Sequence, residues 1–369
     1  MTGADLRGLR LALVGPVPPP SGGMANQLLQ LERLLRSEGV SVEVVPVNRP
    51  YRPAFIGGLP GIRALARLLP YLFALHAAAG RADVVHVLAS SGWSWHLFAA
   101  PAVWISRARR VPVVVNYRGG GAKPFLSRAA AFVRPTLKRA SALVVPSEFL
   151  REVFSRFGLA ARVVPNVIDA ELFRPAPAPI GFTKPDGTRT GPHILIARNL
   201  EPVYDVATGL RAFRLVRERI PTARLSVAGT GPERGRLEAL AEELGLGDSV
   251  RFVGRVENEE MPVLYREADV MLNPSLADNM PISILESLAC GIPIVTTNVG
   301  GIPFLVREGE TARLVSSGDE KAMAGAIESL WSDKEQAARQ SRAGLELAQQ
   351  YTWPRIRERW AAIYREAAR

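Results

Sequence analysis

The sequence predicts an α/β protein of two doubly wound, Rossmann-like domains that face each other across a cleft. Three observations carry this expectation. Short β-branched apolar runs recur along the 369 residues, each followed by a helical pattern. The runs are near-continuous rather than alternating, which is how strands buried on both faces of a parallel sheet read. They fall into two sets of six, and each set suffices for one doubly wound unit.

In the first half the runs are LALVGP (11–16), VEVVPV (42–47), DVVHVL (83–88), VPVVVNY (111–117), ALVVPS (142–147) and RVVPNV (162–167). In the second half they are HILIAR (193–198), RLSVAG (224–229), VRFVGR (250–255), DVMLNP (269–274), PIVTTN (293–298) and ARLVSS (312–317). Between the sets, residues 173–193 are rich in Pro, Gly and Thr and lack apolar periodicity, so they read as a linker. The division expected is therefore a first domain at 1–175, a linker at 176–192 and a second domain at 193–350. The last helical stretch, 351–369, has no strand after it and is expected to cross back onto the first domain. Ligands of open α/β sheets bind beyond the C-terminal ends of the strands, and two such edges facing each other define the cleft.

Composition narrows the class. A single cysteine allows no internal disulfide and fits a reducing compartment, with Cys290 as a small buried residue. The first apolar run is too short for a secretory leader, and no run of 18 residues free of charge or proline suggests a membrane span. The expected location is cytoplasmic, peripheral on the inner face of the plasma membrane. Net charge is +11 and unevenly spread. Residues 1–175 hold 22 Lys and Arg against 9 Asp and Glu, a net of +13, and the remainder is 24 against 26, a net of −2. A one-sided basic field implies a polyanionic partner: nucleic acid, anionic membrane or phosphate-bearing substrate.

Three stretches carry chemistry. GPVPPPSGGMANQLLQ follows the first strand and opens a helix, so Gly22 and Gly23 can bring backbone N–H groups close to an anion. The G-x-G-x-x-G spacing is absent, and an ordinary Pro/Gly turn is an equal reading. Arg198 ends the run HILIAR, where a guanidinium can clamp a diphosphate; a surface arginine is the plainer alternative. In LADNMPISILESLACG, Asp278 lies in the loop after the strand DVMLNP, and Pro281 suits the first turn of a helix. Backbone N–H groups near Asn279, Met280 and Ile282 then stand at the positive end of that helix, and Glu286 lies about one turn inside it. Carboxylates repel phosphate but accept hydrogen bonds from sugar hydroxyls. An anion-binding helix end beside two carboxylates therefore suits a nucleotide sugar better than a free polyphosphate.

These motifs together resemble the GT-B retaining glycosyltransferases of family 4, over nearly the whole chain. The matching stretches are ARNLEP (197–202), VAGTGPERGRL (227–237), VRFVGRV (250–256), DNMPISILESLACGIPIVTTNVGGIPFLVREGETARLVSSGD (278–319) and YTW (351–353). The resemblance implies that Glu286 holds the donor ribose, Asp278 contacts the transferred sugar and Arg198 neutralises the diphosphate. It implies that Gly22 and Gly23 approach the diphosphate from the first domain, that Gly229 and Gly231 keep a facing loop close, and that Arg255 and Val256 border the base. Three positions depart from the family pattern. Asp278 replaces the usual glutamate, Tyr204 stands where a lysine is usual six positions after the arginine, and Arg118 stands where a histidine often follows the fourth strand. Arg118 is expected to supply charge that the missing lysine would have given.

The reaction implied is transfer of a sugar from a UDP- or GDP-sugar with retention at the anomeric carbon, without metal or other cofactor. The histidines His76, His86, His96 and His193 have no metal-ligand spacing, and His86 reads as a packing residue. Residues 63–81 and 126–141 mix apolar residues with arginine and lysine, as helices at an anionic membrane do, although solvated outer helices read alike. The expected acceptor is a lipid-linked saccharide in cell-surface polysaccharide assembly. The rival readings are a non-catalytic nucleotide-sugar binder with a degenerate site, suggested by Tyr204 and Asp278, and a nucleotide-sugar epimerase on the same fold. Nucleic acid is set last, because no recognition motif accompanies the charge.

Overall fold

The structure, a computed structural model, describes residues 6–19, 22–51, 55, 58, 62–176 and 191–368, the side chains of 62 and 63 excepted. Most of the linker expected at 176–192 lies outside the described residues. All twelve apolar runs contain strands.

In the first unit β1 (Arg10–Gly15), β2 (Ser41–Pro46), β3 (Val84–Ala89), β4 (Val113–Tyr117), β5 (Ala142–Val145) and β6 (Arg162–Val163) form one parallel sheet in the order β2-β1-β3-β4-β5-β6. The helices α1 (Gly23–Ser37), α2 (Ile62–Ala79), α3 (Ala100–Ala108), α4 (Ala122–Leu137) and α5 (Glu148–Arg156) cover it, and a π-helical turn, Trp95–Ala99, leads into α3. Burial follows position in the sheet. The central strands β3 and β4 are buried at every residue, while the edge strand β2 is buried only at Val42 and Val45. Side chains of one strand point alternately to two faces. Ala12, Val14, Val85, Val87 and Val115 therefore pack in one core, and Leu11, Leu13, Val84 and Val114 in another.

The second unit repeats the plan. β7 (His193–Ala197), β8 (Arg224–Ala228), β9 (Val250–Gly254), β10 (Val270–Asn273), β11 (Ile294–Thr297) and β12 (Arg313–Val315) form a parallel sheet in the order β12-β11-β10-β7-β8-β9. Its helices are α6 (Val206–Arg219), α7 (Arg234–Glu243), α8 (Met261–Glu267), α9 (Ile282–Cys290), α10 (Ile302–Leu305), α11 (Glu320–Ser332) and α12 (Lys334–Gln349). One face, with Ile194, Ile196, Val227 and Leu272, packs under α6 and α11. The other, with Leu195, Met271 and Ile294, packs under α8 and α9.

The last helix, α13 (Trp353–Ala368), belongs to the first unit and lies on β3 and β4. His86 sits mid-strand beneath it, fully buried, with Nδ1 at 2.7 Å from the Tyr364 hydroxyl and its ring against Trp360. The first unit ends at Val167 rather than at 175, and resumes at Trp353 rather than 351. The reason is local: the Ile168 N–H donates to Tyr351 O at 2.9 Å, and Phe173 packs edge-on against Tyr265 in the second unit's core. Among the described residues no helix is long and apolar enough to cross a membrane.

Candidate active site

The second unit gathers its polar side chains beyond the C-terminal ends of β7, β8, β10 and β11, as the doubly wound plan requires. Arg198 follows β7 directly, and its N–H donates to Ala228 O at 3.0 Å. The β8 loop lies so close that a Cβ on Gly229 would stand 1.9 Å from Arg198 O, and one on Gly231 2.3 Å from Leu200 O. Gly229 also has φ +149, a conformation other residues rarely adopt. At these two glycines the loop lies against the backbone of Arg198 and Leu200.

The Arg198 side chain is held on three sides. Nη2 donates to Asp278 Oδ2, Nη1 donates to Ser283 Oγ at 3.2 Å, and the guanidinium stacks over the Tyr204 ring at 4.1 Å from its centroid. Arg198 and Asp278 are 9% and 13% exposed, so the ion pair is largely shielded from water. Nε is buried without a hydrogen-bond partner among the described residues. Tyr204 thus meets Arg198 with an aromatic face where a lysine would have brought a second charge. Cation–π stacking of this kind contributes about 0.5–2 kcal/mol.

Ser283 belongs to the first turn of α9, so the guanidinium and the positive end of that helix are neighbours. The loop before it is pinned from below. Asp278 Oδ1 accepts the Asn279 N–H at 2.8 Å, so that amide is already engaged and is not one of the free helix-end donors expected. The Gly301 N–H donates to Asp278 O at 3.0 Å. A Cβ on Gly300 would lie 2.0 Å from Asp278 O, and one on Gly301 1.9 Å from Asn279 O. Asn279 and Met280 are buried, Met280 in the apolar cluster beneath α9.

Glu286 is also buried. Its Oε2 accepts the Tyr265 hydroxyl at 2.8 Å, from α8. Burial pushes its pKa up to about 7, against the opposing pull of the Tyr265 hydrogen bond and the Arg198 charge. Desolvation also holds the Tyr265 hydroxyl far above its usual range, so it is a neutral donor. Sequence reasoning missed Tyr265, Ser283, Gly300 and Gly301. The Gly-Gly pair in NVGGIP was a visible turn signal, whereas nothing in LYREADV separates Tyr265 from an ordinary core aromatic.

The remaining expected residues lie elsewhere. Arg255 follows β9, is exposed and pairs with Glu257 at 2.9 Å; Val256 is half-buried against the second unit's core. In the first unit, Gly22 caps α1 and Gly23 begins it, and a Cβ on Gly22 would meet nothing within 4 Å. Pro20 and Ser21 of that loop lie outside the described residues. Arg118 follows β4, and its Nη2 donates to Asn166 Oδ1 and, at 3.3 Å, to Gln27 Oε1. It pairs with no carboxylate among the described residues, and burial lowers its pKa to about 10, which leaves it charged at pH 7. No group of three His, Cys, Asp or Glu among the described residues is placed to hold a metal ion.

Two family profiles match the chain: Glycosyl transferases group 1 at residues 184–346, and Glycosyltransferase Family 4 at residues 21–172. A phosphatidyl-myo-inositol mannosyltransferase of Mycobacterium leprae (strain TN) is 25% identical and covers 94% of each chain. A GDP-mannose-dependent alpha-(1-6)-phosphatidylinositol monomannoside mannosyltransferase of Mycobacterium tuberculosis is 30% identical over 60% of this chain and 62% of its own. Among solved structures, Anabaena HepE in complex with UDP and glucose superimposes with a TM-score of 0.72 at 18% identity, covering 95% of this chain and 98% of its own. That likeness shows the fold.

Two doubly wound units, each matched by a glycosyltransferase profile, are those of a glycosyltransferase. With a family profile on each half, the chain belongs to the family 4 glycosyltransferases of the GT-B fold, and it is a hexosyltransferase.

Proposed function

We propose that the protein moves a sugar from a UDP- or GDP-sugar to a lipid-linked saccharide, with retention at the anomeric carbon, in cell-surface polysaccharide assembly. The observation that carries this reading is the convergence of Arg198, Asp278, the α9 N-terminus and Glu286 in one unit. Glu286 accepts hydrogen bonds from the two ribose hydroxyls. Arg198 and the first turn of α9 stabilise the charge that builds on the departing diphosphate, the largest kind of term in such sites. Asp278 hydrogen-bonds the transferred sugar, and Gly22 and Gly23 offer backbone N–H groups to the diphosphate. Asn279 and Met280 shape the loop under the donor, and Arg255 and Val256 border the base.

In the step proposed, the C1–O bond to the diphosphate breaks and a bond from the acceptor oxygen to C1 forms on the same face. The acceptor proton passes to the departing phosphate oxygen. No cofactor or metal takes part in this step. Arg118, a buried cation without a carboxylate partner among the described residues, supplies the additional positive charge.

The acceptor reading rests on charge and exposed apolar surface. On α2, Leu65, Leu69 and Phe73 are exposed at i, i+4 and i+8, and on α4 Phe132 is exposed one turn from Arg128. Such surfaces suit the headgroup region of an anionic leaflet. The two mannosyltransferase relatives carry phosphatidylinositol in their names. The test is transfer of radiolabelled sugar from UDP-glucose and GDP-mannose into a lipid extract, with the product's anomeric configuration read by NMR. An α-linked product extractable into organic solvent supports the proposal; a β-linked or water-soluble product contradicts it.

A further inference from the structure

We propose that Tyr265 is a positioning residue for the donor: its buried hydroxyl fixes one oxygen of Glu286 and holds the carboxylate ready for both ribose hydroxyls. The inference rests on the reading of Glu286 as the ribose ligand.

The geometry is specific. Tyr265 is fully buried on α8, which packs directly on α9. Its ring is braced edge-on by Phe173, so the hydroxyl has little freedom to turn away. Among the described residues that hydroxyl donates only to Glu286 Oε2, at 2.8 Å. Glu286 retains 8% exposure and receives no other hydrogen bond there. A carboxylate offers about four lone-pair sites, so one bond from Tyr265 leaves room for a diol spanning both oxygens.

The same contact governs charge. The titratable and charged groups acting on Glu286 are Tyr265 from α8 and Arg198 from the end of β7, and both favour the carboxylate against desolvation. Cys290, one turn further along α9, is a neutral thiol whose pKa burial raises to about 12. On its other side α9 meets α12 through Gly344, against Leu288, and Ser341, bonded to Gly291 O; neither titrates. The ionised carboxylate accepts from both hydroxyls through charge-assisted bonds, which are stronger than those to the protonated acid. Donor binding therefore favours the ionised form, and affinity falls as pH drops below about 7. Removing the Tyr265 hydroxyl removes one of the two groups that favour ionisation, so the fall begins at higher pH.

The experiment is isothermal titration of UDP-glucose and GDP-mannose into the full chain between pH 6 and 9, for the wild type, Tyr265→Phe and Glu286→Gln. The expected result is an inflection of the wild-type Kd near pH 7 that moves up by about one pH unit in Tyr265→Phe. At pH 7 the variant then binds about fivefold more weakly, while kcat at saturating donor and pH 9 changes less than twofold. A merely structural role would lower the melting temperature and leave the inflection in place, and that result overturns the proposal. If Glu286→Gln binds the donor as the wild type does, the reading of Glu286 fails. If Glu286→Gln loses the donor while Tyr265→Phe keeps the wild-type inflection, only the role of Tyr265 fails.

Discussion

Arg198 is one guanidinium with three neighbours of different kinds, and each can be removed singly. Tyr204 contributes a flat aromatic face at 4.1 Å and no charge. Tyr204→Phe keeps that face, so donor affinity should stay within about twofold. Tyr204→Ala frees the guanidinium and should weaken donor binding by about 2- to 30-fold, the range set by a cation–π contact; calorimetry with UDP-glucose or GDP-mannose checks both. An unusual residue at this position therefore marks a different way of holding the arginine, which the sequence could show only as a departure. Arg118 is the second cation to test. Its partners among the described residues are amide oxygens, which carry no compensating charge. Arg118→Ala should lower kcat about tenfold or more, and a kcat within twofold of wild type would remove Arg118 from the mechanism.

At the scale of elements, the strands were legible because buried parallel strands have nowhere to place polar residues. Helix contacts were less so, because a hydrogen bond such as Tyr265 to Glu286 depends on how α8 lies on α9, and spacing along the chain does not encode that. The glycines divide the same way. Gly22 has open space around it among the described residues, whereas Gly301 faces Asn279 O where a Cβ would come within 1.9 Å. Gly301→Ala should therefore cost about 1–3 kcal/mol and lower the melting temperature by several degrees. Gly22→Ala should leave the melting temperature unchanged. The α13 helix gives a pH-dependent element. Burial drives the His86 pKa down from 6.5 to about 3, with a further contribution from Arg118. The unfolded chain binds that proton between those values and the native state does not, so stability falls as pH drops from about 6.5 toward 3. Thermal melts across that window should show the loss, and His86→Leu should flatten it while removing the hydrogen bond to Tyr364.

For the whole molecule, the uneven charge was plain in the composition, and the membrane reading proposed for it is tested at the exposed apolar side chains. Attraction to anionic lipid is worth about 1 kcal/mol per basic residue near the surface and is screened within about a Debye length. The protein should co-sediment with phosphatidylserine vesicles at low ionic strength and release at about 0.5 M salt. Replacing Leu69 and Phe73 with serine should reduce the bound fraction at low ionic strength. Vesicle binding that is equal for neutral and anionic lipid would contradict this surface.

The central claim is that the second unit holds a nucleotide sugar through Glu286 and Arg198. The most direct test is the melting temperature of the wild type, Glu286→Ala and Arg198→Ala with a panel of UDP- and GDP-sugars, since a ligand that binds the native state raises it by mass action. A rise with one donor in the wild type, absent in both variants, is the expected result. An equal rise in either variant would show that the donor is held elsewhere and would contradict the account.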